Sequence, residues 1–165
     1  MEKLGEISYI LYIRRKMEIK RREPMEIRFV AEQNAKQLQE LFVQLGEEKG
    51  SLIQLKETIK NLEKNENYGL FGAFEGEELI GFVMGVCCQD VYGDCRKFLV
   101  IENVIVDENY HGKGVAKQLF ETMECWSKER DCYYAILVSG MIRERAHHFY
   151  EKMGYTKEVG FRKYY

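Results

Sequence analysis

The clearest chemical signal in this sequence is a stretch with two glycines around a lysine, "NYHGKGVAKQLF", at residues 109–120. It lies between a strand-like run and a helix-like run, so Gly112 and Gly114 fall where a helix begins. Glycine permits left-handed backbone angles, and a tight turn is one explanation for the pair. A helix start without side chains also exposes backbone N–H groups at the positive end of the helix dipole, which favours phosphate binding. The stretch alone leaves both explanations open.

Two well-known nucleotide-binding motifs do not match this stretch. The Walker motif requires a lysine and then Ser or Thr after its last glycine, whereas Val115 follows Gly114 here. The Rossmann motif requires a third glycine where this chain has Lys117, and no strand opens the chain in the required place. The sequence therefore predicts a strand, a turn and a bare helix start that faces a phosphate-bearing ligand of another kind.

Composition predicts one globular domain. The chain has 165 residues, of which 45% are hydrophobic and 32% are charged, a balance typical of a folded protein with a buried core. The formal net charge of -2 provides no global basic field to attract nucleic acid. We therefore expect a small or cationic substrate and no nucleic-acid partner.

The five cysteines are odd in number and contain no C-x-x-C spacing, which indicates neither a disulfide framework nor a zinc site. We expect free thiols in a reducing cytoplasm, no metal, and no disulfides. The longest early apolar run, residues 9–13, is far shorter than the roughly 20 residues that cross a bilayer. No membrane span is expected.

Residues 1–24 differ from the rest of the chain because arginine and lysine cluster there and the only proline, Pro24, closes the segment. We place the domain boundary at Met25, with a basic extension at residues 1–24 and the folded domain at residues 25–165. The extension is either a surface for a membrane or a partner, or an appended tail without chemistry.

Hydrophobic periodicity predicts alternating elements after Met25. Strands are predicted at residues 25–30, 68–74, 79–88, 98–106 and 133–138, with a final strand or hairpin at 155–165. Helices are predicted at residues 34–45, at 51–63 with Ser51 as N-cap, from the glycine stretch to about Arg130, and at 144–153 before a left-handed Gly154. The resulting fold class is α/β (α+β), a mixed sheet of about six to seven strands with helices on both faces.

Two stretches together resemble the GNAT acetyltransferase superfamily. "VIVDENYHGKGVAKQLF" is similar to its motif A, [QR]-x-x-G-x-[GA], which falls on His111, Gly114 and Ala116. "AHHFYEKMGY", at residues 146–155, is similar to the closing helix and following strand of the same family. The two stretches occur in the family's order and separation, and the matching architecture covers residues 25–165. The resemblance implies a twisted, mostly antiparallel sheet.

The resemblance implies acetyl-CoA as the acetyl donor. Its pyrophosphate would be bound by the backbone N–H groups of Gly112, Lys113, Gly114, Val115 and Ala116. His111 stands where the family usually has Gln or Arg, so a side-chain role is open while the backbone site is unaffected. The side chain of Lys113 either contacts phosphate or is solvated.

Further cofactor contacts are implied along the strand before the motif and after the next strand. In the family, the backbone of the strand before the motif binds the pantetheine arm. The residues in the corresponding position here are Val104, Ile105 and Val106. The N–H of Val104 would polarise the thioester carbonyl. Ser139 and Arg143 stand where many relatives have an asparagine that contacts the pantetheine, and a subgroup of the family has this Ser and Arg pattern instead. Arg143 either binds the cofactor or, as we prefer, caps the helix.

The implied reaction is direct attack of a primary amine on the thioester. Tyr150 matches the family tyrosine that protonates the leaving thiolate, although it also lies on an apolar helix stripe and could be a core aromatic. Glu102 is the candidate base, because a charged residue is unusual inside "FLVIENVIV" and the attacking ammonium must lose a proton. The alternative is a salt-bridged glutamate. Asn103 would face the opposite side unless a bulge resets the alternation.

The leading hypothesis is an N-acetyltransferase that acts on a small amine or an exposed protein amine. The rivals are a noncatalytic acyl-CoA-binding or sensing domain and a nucleic-acid adaptor that uses the basic extension. The acceptor pocket would be built from the first two helices and the "QDVYGDC" loop. A homodimer is a further expectation, since dimers are frequent among relatives.

Overall fold

A computed structural model describes residues 24–46 and 48–165. The predicted basic extension, residues 1–24, lies outside the described residues except for Pro24. The first strand begins at Met25; the domain boundary at this residue stays a prediction.

Five strands and four α-helices make up the described part of the chain, with short 3-10 turns at Glu32–Asn34 and Glu108–Tyr110. In chain order they are β1 (Met25–Phe29), α1 (Ala35–Val43), α2 (Leu52–Leu62), β2 (Tyr68–Glu75), β3 (Glu78–Gln89), β4 (Lys97–Val106), α3 (Val115–Lys128), β5 (Cys132–Leu137) and α4 (Glu144–Lys152). Ser51 caps α2 as predicted, because its side chain accepts a hydrogen bond from the Gln54 N–H. Gly154 is left-handed, with φ 91°, as expected after α4.

The sheet has the order β1-β2-β3-β4-β5. The first four strands pair antiparallel, and β4 pairs with β5 in parallel. The predicted fold class is confirmed as a mixed, mostly antiparallel sheet. The predicted number of six to seven strands is wrong, since residues 155–165 form no strand in the described structure. Val159 and Phe161 are 85% and 97% exposed, so the alternating apolar side chains of this segment have no surface to pack against.

Helices cover both faces of the sheet, which gives two buried clusters. Beneath α3 the cluster includes Leu119, Phe120 and Met123, all fully buried. Beneath α1 and α2 a second cluster includes Leu38 and Ile59. This arrangement follows from the helical spacing of the apolar residues, because each helix buries one stripe against one face of the sheet.

Gly81 on β3 fixes where α3 begins. A Cβ at this position would lie 2.9 Å from Cγ1 of Val115 and 3.2 Å from the carbonyl oxygen of Ile105. Only glycine therefore allows the first turn of α3 to pack directly on the sheet. As a result the helix start lies beside the C-terminal end of β4.

Candidate active site

Backbone angles explain why the turn before α3 contains two glycines. This segment, residues 111–114, is called the glycine turn below. Gly112 and Gly114 have φ values of 75° and 83°, and Gly114 occupies the N-cap position of α3. A Cβ at either glycine would meet no atom within 4 Å. The glycines are therefore required by left-handed backbone geometry rather than by close packing, and open space lies against the backbone of the turn.

The start of α3 presents unpaired amides next to that open space. The first intrahelical bond runs from the Gln118 N–H to the Gly114 carbonyl, at 3.1 Å. The N–H groups of Val115, Ala116 and Lys117 precede it and have no acceptor within the helix. The glycine turn is exposed, whereas Val115 is buried and Ala116 is half-buried. These donors, together with the helix dipole, favour an anion at this position.

Two side chains of the glycine turn fold back on neighbouring residues. Nε2 of His111 lies 2.9 Å from the carbonyl oxygen of Val106, at the end of β4. The ammonium of Lys113 lies over the ring of Tyr110, 4.5 Å from its centroid. His111 therefore fastens the turn to β4, a role that sequence reasoning missed because the two residues belong to different elements.

Strands β4 and β5 part beside the glycine turn. Their parallel pairing ends at Ile101 and Leu137, so residues 102–106 of β4 have no strand partner on that side among the residues that the structure describes. The side chains of Val104 and Val106 are half-buried against the α3 cluster, while Ile105 is buried in the opposite cluster. The backbone on this side of β4 is consequently open to a ligand between the two strands.

A β-bulge reorients the same part of β4. Between the pairs Phe82↔Ile105 and Met84↔Glu102, two residues of β4 oppose the single residue Val83. One of the two, Asn103, has φ 55°, which is rare for a residue other than glycine. The bulge resets the alternation, and Asn103 lines a cleft beneath α1 and α2. Glu102 is half-buried immediately before it.

Tyr150 lies on α4 against the α3 cluster, as the helical stripe predicted. Its ring centroid is 5.6 Å from that of Phe120 and 5.6 Å from that of Phe149. Burial raises the pKa of Tyr150, and the nearby charge of Arg143 opposes this shift. A raised pKa keeps the phenol protonated at neutral pH, which is the state that can donate a proton.

The loop between β5 and α4 carries the other two predicted contacts. Ser139 is half-buried and Arg143 is exposed. Arg143 occupies the N-cap position of α4, but its side chain makes no hydrogen bond to the helix. Its positive charge instead favours the ionised form of Tyr150 and so opposes the rise that burial causes in the pKa of that phenol.

The cleft that contains Asn103 has a volume of about 310 Å³. Its lining comes from α1, α2 and the loop between them: Gln39, Phe42, Leu45, Glu48, Gly50, Ser51 and Leu55, with Asn103. The first two helices, which were predicted to build an acceptor pocket, line this cleft, whereas the "QDVYGDC" loop does not; the location of the acceptor pocket stays a prediction. In that loop the carboxylate of Asp90 accepts hydrogen bonds from the N–H groups of Val91 and Tyr92.

Another cleft, of about 350 Å³, is lined only by polar residues: Glu66, Asn67, Lys97, Glu129, Arg130 and Asp131. It lies at the N-terminal end of β4, whereas the glycine turn follows the C-terminal end. The cleft with Asn103 is therefore at the same end of β4 as the glycine turn, and this polar cleft is at the other end.

In residues 24–46 and 48–165, no three His, Cys, Asp or Glu side chains are grouped so that they could hold a metal ion. Across the same part of the chain, none of the helices has the length and apolar character needed to span a bilayer.

Comparison with known proteins places this fold in a family. The sequence model of the acetyltransferase (GNAT) family matches residues 29–155. Streptothricin acetyltransferase of Escherichia coli is 27% identical over 101 residues, which cover 61% of this chain and 55% of that protein. The chain therefore spans about half the length of this curated relative.

Two solved structures have the same fold. A transcriptional regulator from Bacillus halodurans C-125 superposes with a TM-score of 0.80 at 22% identity, covering 86% of this chain and 100% of that chain. Glucosamine-6-phosphate N-acetyltransferase from Arabidopsis thaliana superposes with a TM-score of 0.77 at 21% identity, covering 87% and 99%. The family match spans most of the chain, and the chain belongs to the acetyltransferase (GNAT) family of acyltransferase enzymes.

Proposed function

We propose that this protein is an acetyl-CoA-dependent N-acetyltransferase that transfers the acetyl group directly to a primary amine. The observation that carries the proposal is the juxtaposition of an open, amide-rich helix start with a parted strand pair. The glycine turn and the unpaired edge of β4 are joined by the contact of His111 with Val106, 2.9 Å from Nε2 to the carbonyl oxygen. Family membership supports the same assignment.

The residues present fit acetyl-CoA, which would supply an activated acetyl group. The N–H groups of Gly112, Gly114, Val115 and Ala116 would hold its diphosphate, since the space beside both glycines is open. The N–H of Lys113, also predicted for this role, already donates to the carbonyl oxygen of Tyr110 at 3.3 Å. The backbone of Val104, Ile105 and Val106 would hold its pantetheine arm along the unpaired edge of β4. Ser139 and Arg143, in the loop after β5, would contact the same arm.

Glu102 and Tyr150 would handle the two protons of the transfer. As the C–N bond forms and the C–S bond breaks, Glu102 takes a proton from the attacking amine and Tyr150 gives one to the departing sulfur. Glu102 directly precedes Asn103, which lines the cleft under α1 and α2, whereas Tyr150 packs against the opposite cluster. We infer that the acceptor approaches from the α1 and α2 face and the cofactor from the other, so that they meet where β4 and β5 part.

The cysteines support a reducing cellular location. All five are free thiols, including Cys87 and Cys132, whose sulfur atoms lie 3.5 Å apart. The pKa of the Cys87 thiol is raised to about 12, mainly by burial and secondly by its hydrogen bond with Cys132. A thiol with so high a pKa is a poor nucleophile at neutral pH, which argues against Cys87 as the site of an acetyl-cysteine intermediate. We propose the cytoplasm as the location.

The decisive experiment measures thiol release from acetyl-CoA in the presence of a panel of primary amines. Amine-dependent release, with an acetylated product seen by mass spectrometry, is the expected result. Tyr150→Phe should lower kcat by about 100-fold and leave the Kd for CoA unchanged, since only the transferable proton is removed. Tight CoA binding without release for any amine would instead favour a noncatalytic acyl-CoA sensor.

A further inference from the structure

Asn103 is the most strained non-glycine residue beside the candidate chemistry. Its φ of 55° lies in the left-handed region, inside β4, whose pairing with β3 is otherwise regular. Asparagine tolerates this conformation better than most residues, but glycine adopts it without strain. Glycine would therefore suit the backbone at this position best. The asparagine side chain must have a reason other than backbone conformation.

The bulge decides where this side chain points. Ile101 is buried in the α3 cluster, and regular alternation would turn residue 103 toward that same cluster. Ile105 belongs instead to the cluster beneath α1 and α2, which shows that the alternation has shifted between them. The shift brings a polar amide into the cleft, where regular alternation would have buried it in a core.

The cleft around Asn103 combines an apolar wall with a few polar groups. Phe42 forms part of the wall, and its ring packs edge-on against Phe82 with centroids 5.9 Å apart. The amide of Gln39 is fixed by a 2.7 Å hydrogen bond to the Gly50 carbonyl. Glu48 adds an exposed carboxylate. In the described ranges, neither Asn103 nor Glu48 is hydrogen-bonded through its side chain to another residue.

We infer that Asn103 is a specificity-determining residue, which hydrogen-bonds an acceptor amine that carries a polar group beside its amino group, with Glu48 attracting the ammonium. A side-chain amide offers both a donor and an acceptor, and so recognises a neighbouring hydroxyl or amine. A cleft of about 310 Å³ suits a molecule of monosaccharide or amino-acid size. This inference rests on the proposed N-acetyltransferase function and names its acceptor class.

The test compares matched amines on the full-length protein. Ethanolamine is paired with propylamine, and glucosamine with cyclohexylamine, because each pair differs in its hydroxyl groups. Asn103→Gly keeps the left-handed backbone and removes the amide. The variant should raise KM for the hydroxylated amines by about three- to tenfold, the effect of one lost hydrogen bond. KM values for the alkyl amines and for acetyl-CoA should not change.

Asp131→Gly is the matched control. Asp131 has φ 62° in the turn before β5, so glycine relieves a similar strain at a site remote from the cleft. The control should leave every KM unchanged. Glu48→Gln should raise KM for all four amines, since it removes a charge and not a hydrogen bond to the hydroxyl.

The outcomes separate this inference from the proposed function. If wild-type protein acetylates the amines but Asn103→Gly affects both members of each pair equally, the amide does not read the acceptor and the inference is wrong. If wild-type protein releases no thiol with any amine, the proposed function and the inference fall together.

Discussion

Replacing Gly114 with alanine separates the two explanations of the glycine turn. The left-handed φ of 83° at Gly114 costs a residue with a side chain about 1–2 kcal/mol. The added methyl group meets no protein atom within 4 Å, so it would occupy the open space beside the unpaired amides. If that space receives the CoA diphosphate, the variant loses affinity as well as stability.

The expected loss of affinity follows from the hydrogen bonds displaced. A backbone N–H donating to a charged phosphate oxygen contributes about 1.5–3 kcal/mol. Displacing one such bond should raise the Kd for acetyl-CoA by about 10- to 150-fold. Calorimetric titration with acetyl-CoA measures this change, and urea unfolding measures the change in the free energy of unfolding.

Gly46→Ala provides the matched control, because Gly46 has φ 85° and equally open surroundings after α1. It should lose a similar free energy of unfolding and retain the wild-type Kd. Acetyl-pantetheine, which lacks the diphosphate, should bind Gly114→Ala as it binds the wild type. Equal Kd values for acetyl-CoA in both variants and the wild type would refute phosphate binding and leave the tight turn as the sole reason for the glycine.

Two further variants test the proton chemistry and the packing around it. Glu102→Gln should lower kcat by about 100-fold near neutral pH, with partial recovery at alkaline pH, where the amine is already deprotonated. As a control, Glu57→Gln, which changes an exposed glutamate, should match the wild type. An unchanged pH–rate profile in Glu102→Gln would exclude Glu102 as the base. Tyr155 donates a 3.2 Å hydrogen bond to Glu124, and burial, followed by the charge of Glu124, raises its pKa above the ordinary value of 10.0. The contribution of protonated Tyr155 to folding stability is complete below pH 10 and is lost as pH rises further, because the unfolded chain releases the phenolic proton first. Tyr155→Phe should therefore cost about 0.5–1.5 kcal/mol at neutral pH and flatten the decline in urea stability above pH 10; an equally steep decline would contradict this linkage.

Periodicity predicted most of the fold because each element buries one face. The helical spacing of Leu119, Phe120 and Met123 placed α3, and all three are fully buried under it. The predicted strand or hairpin at residues 155–165 failed for a related reason. An alternating pattern specifies a strand only when a neighbour can cover its apolar side, and the side chains of Val159 and Phe161 are almost fully exposed.

The candidate site was predictable where it depends on local backbone chemistry. The two glycines predicted a left-handed turn at a helix start, and both have left-handed φ angles. The position of Asn103 was not predictable, because a bulge depends on how two strands pair and leaves no mark in "ENV". The contact between His111 and Val106 was missed for the same reason, since it joins a turn to the end of a strand.

The most direct test of phosphate recognition by the helix start is an NMR titration that follows the backbone amides as CoA is added. We expect the largest shifts at Gly112, Gly114, Val115 and Ala116, with smaller shifts at Val104 and Val106. Shifts confined to other parts of the chain, or no shifts at saturating CoA, would contradict the proposed site.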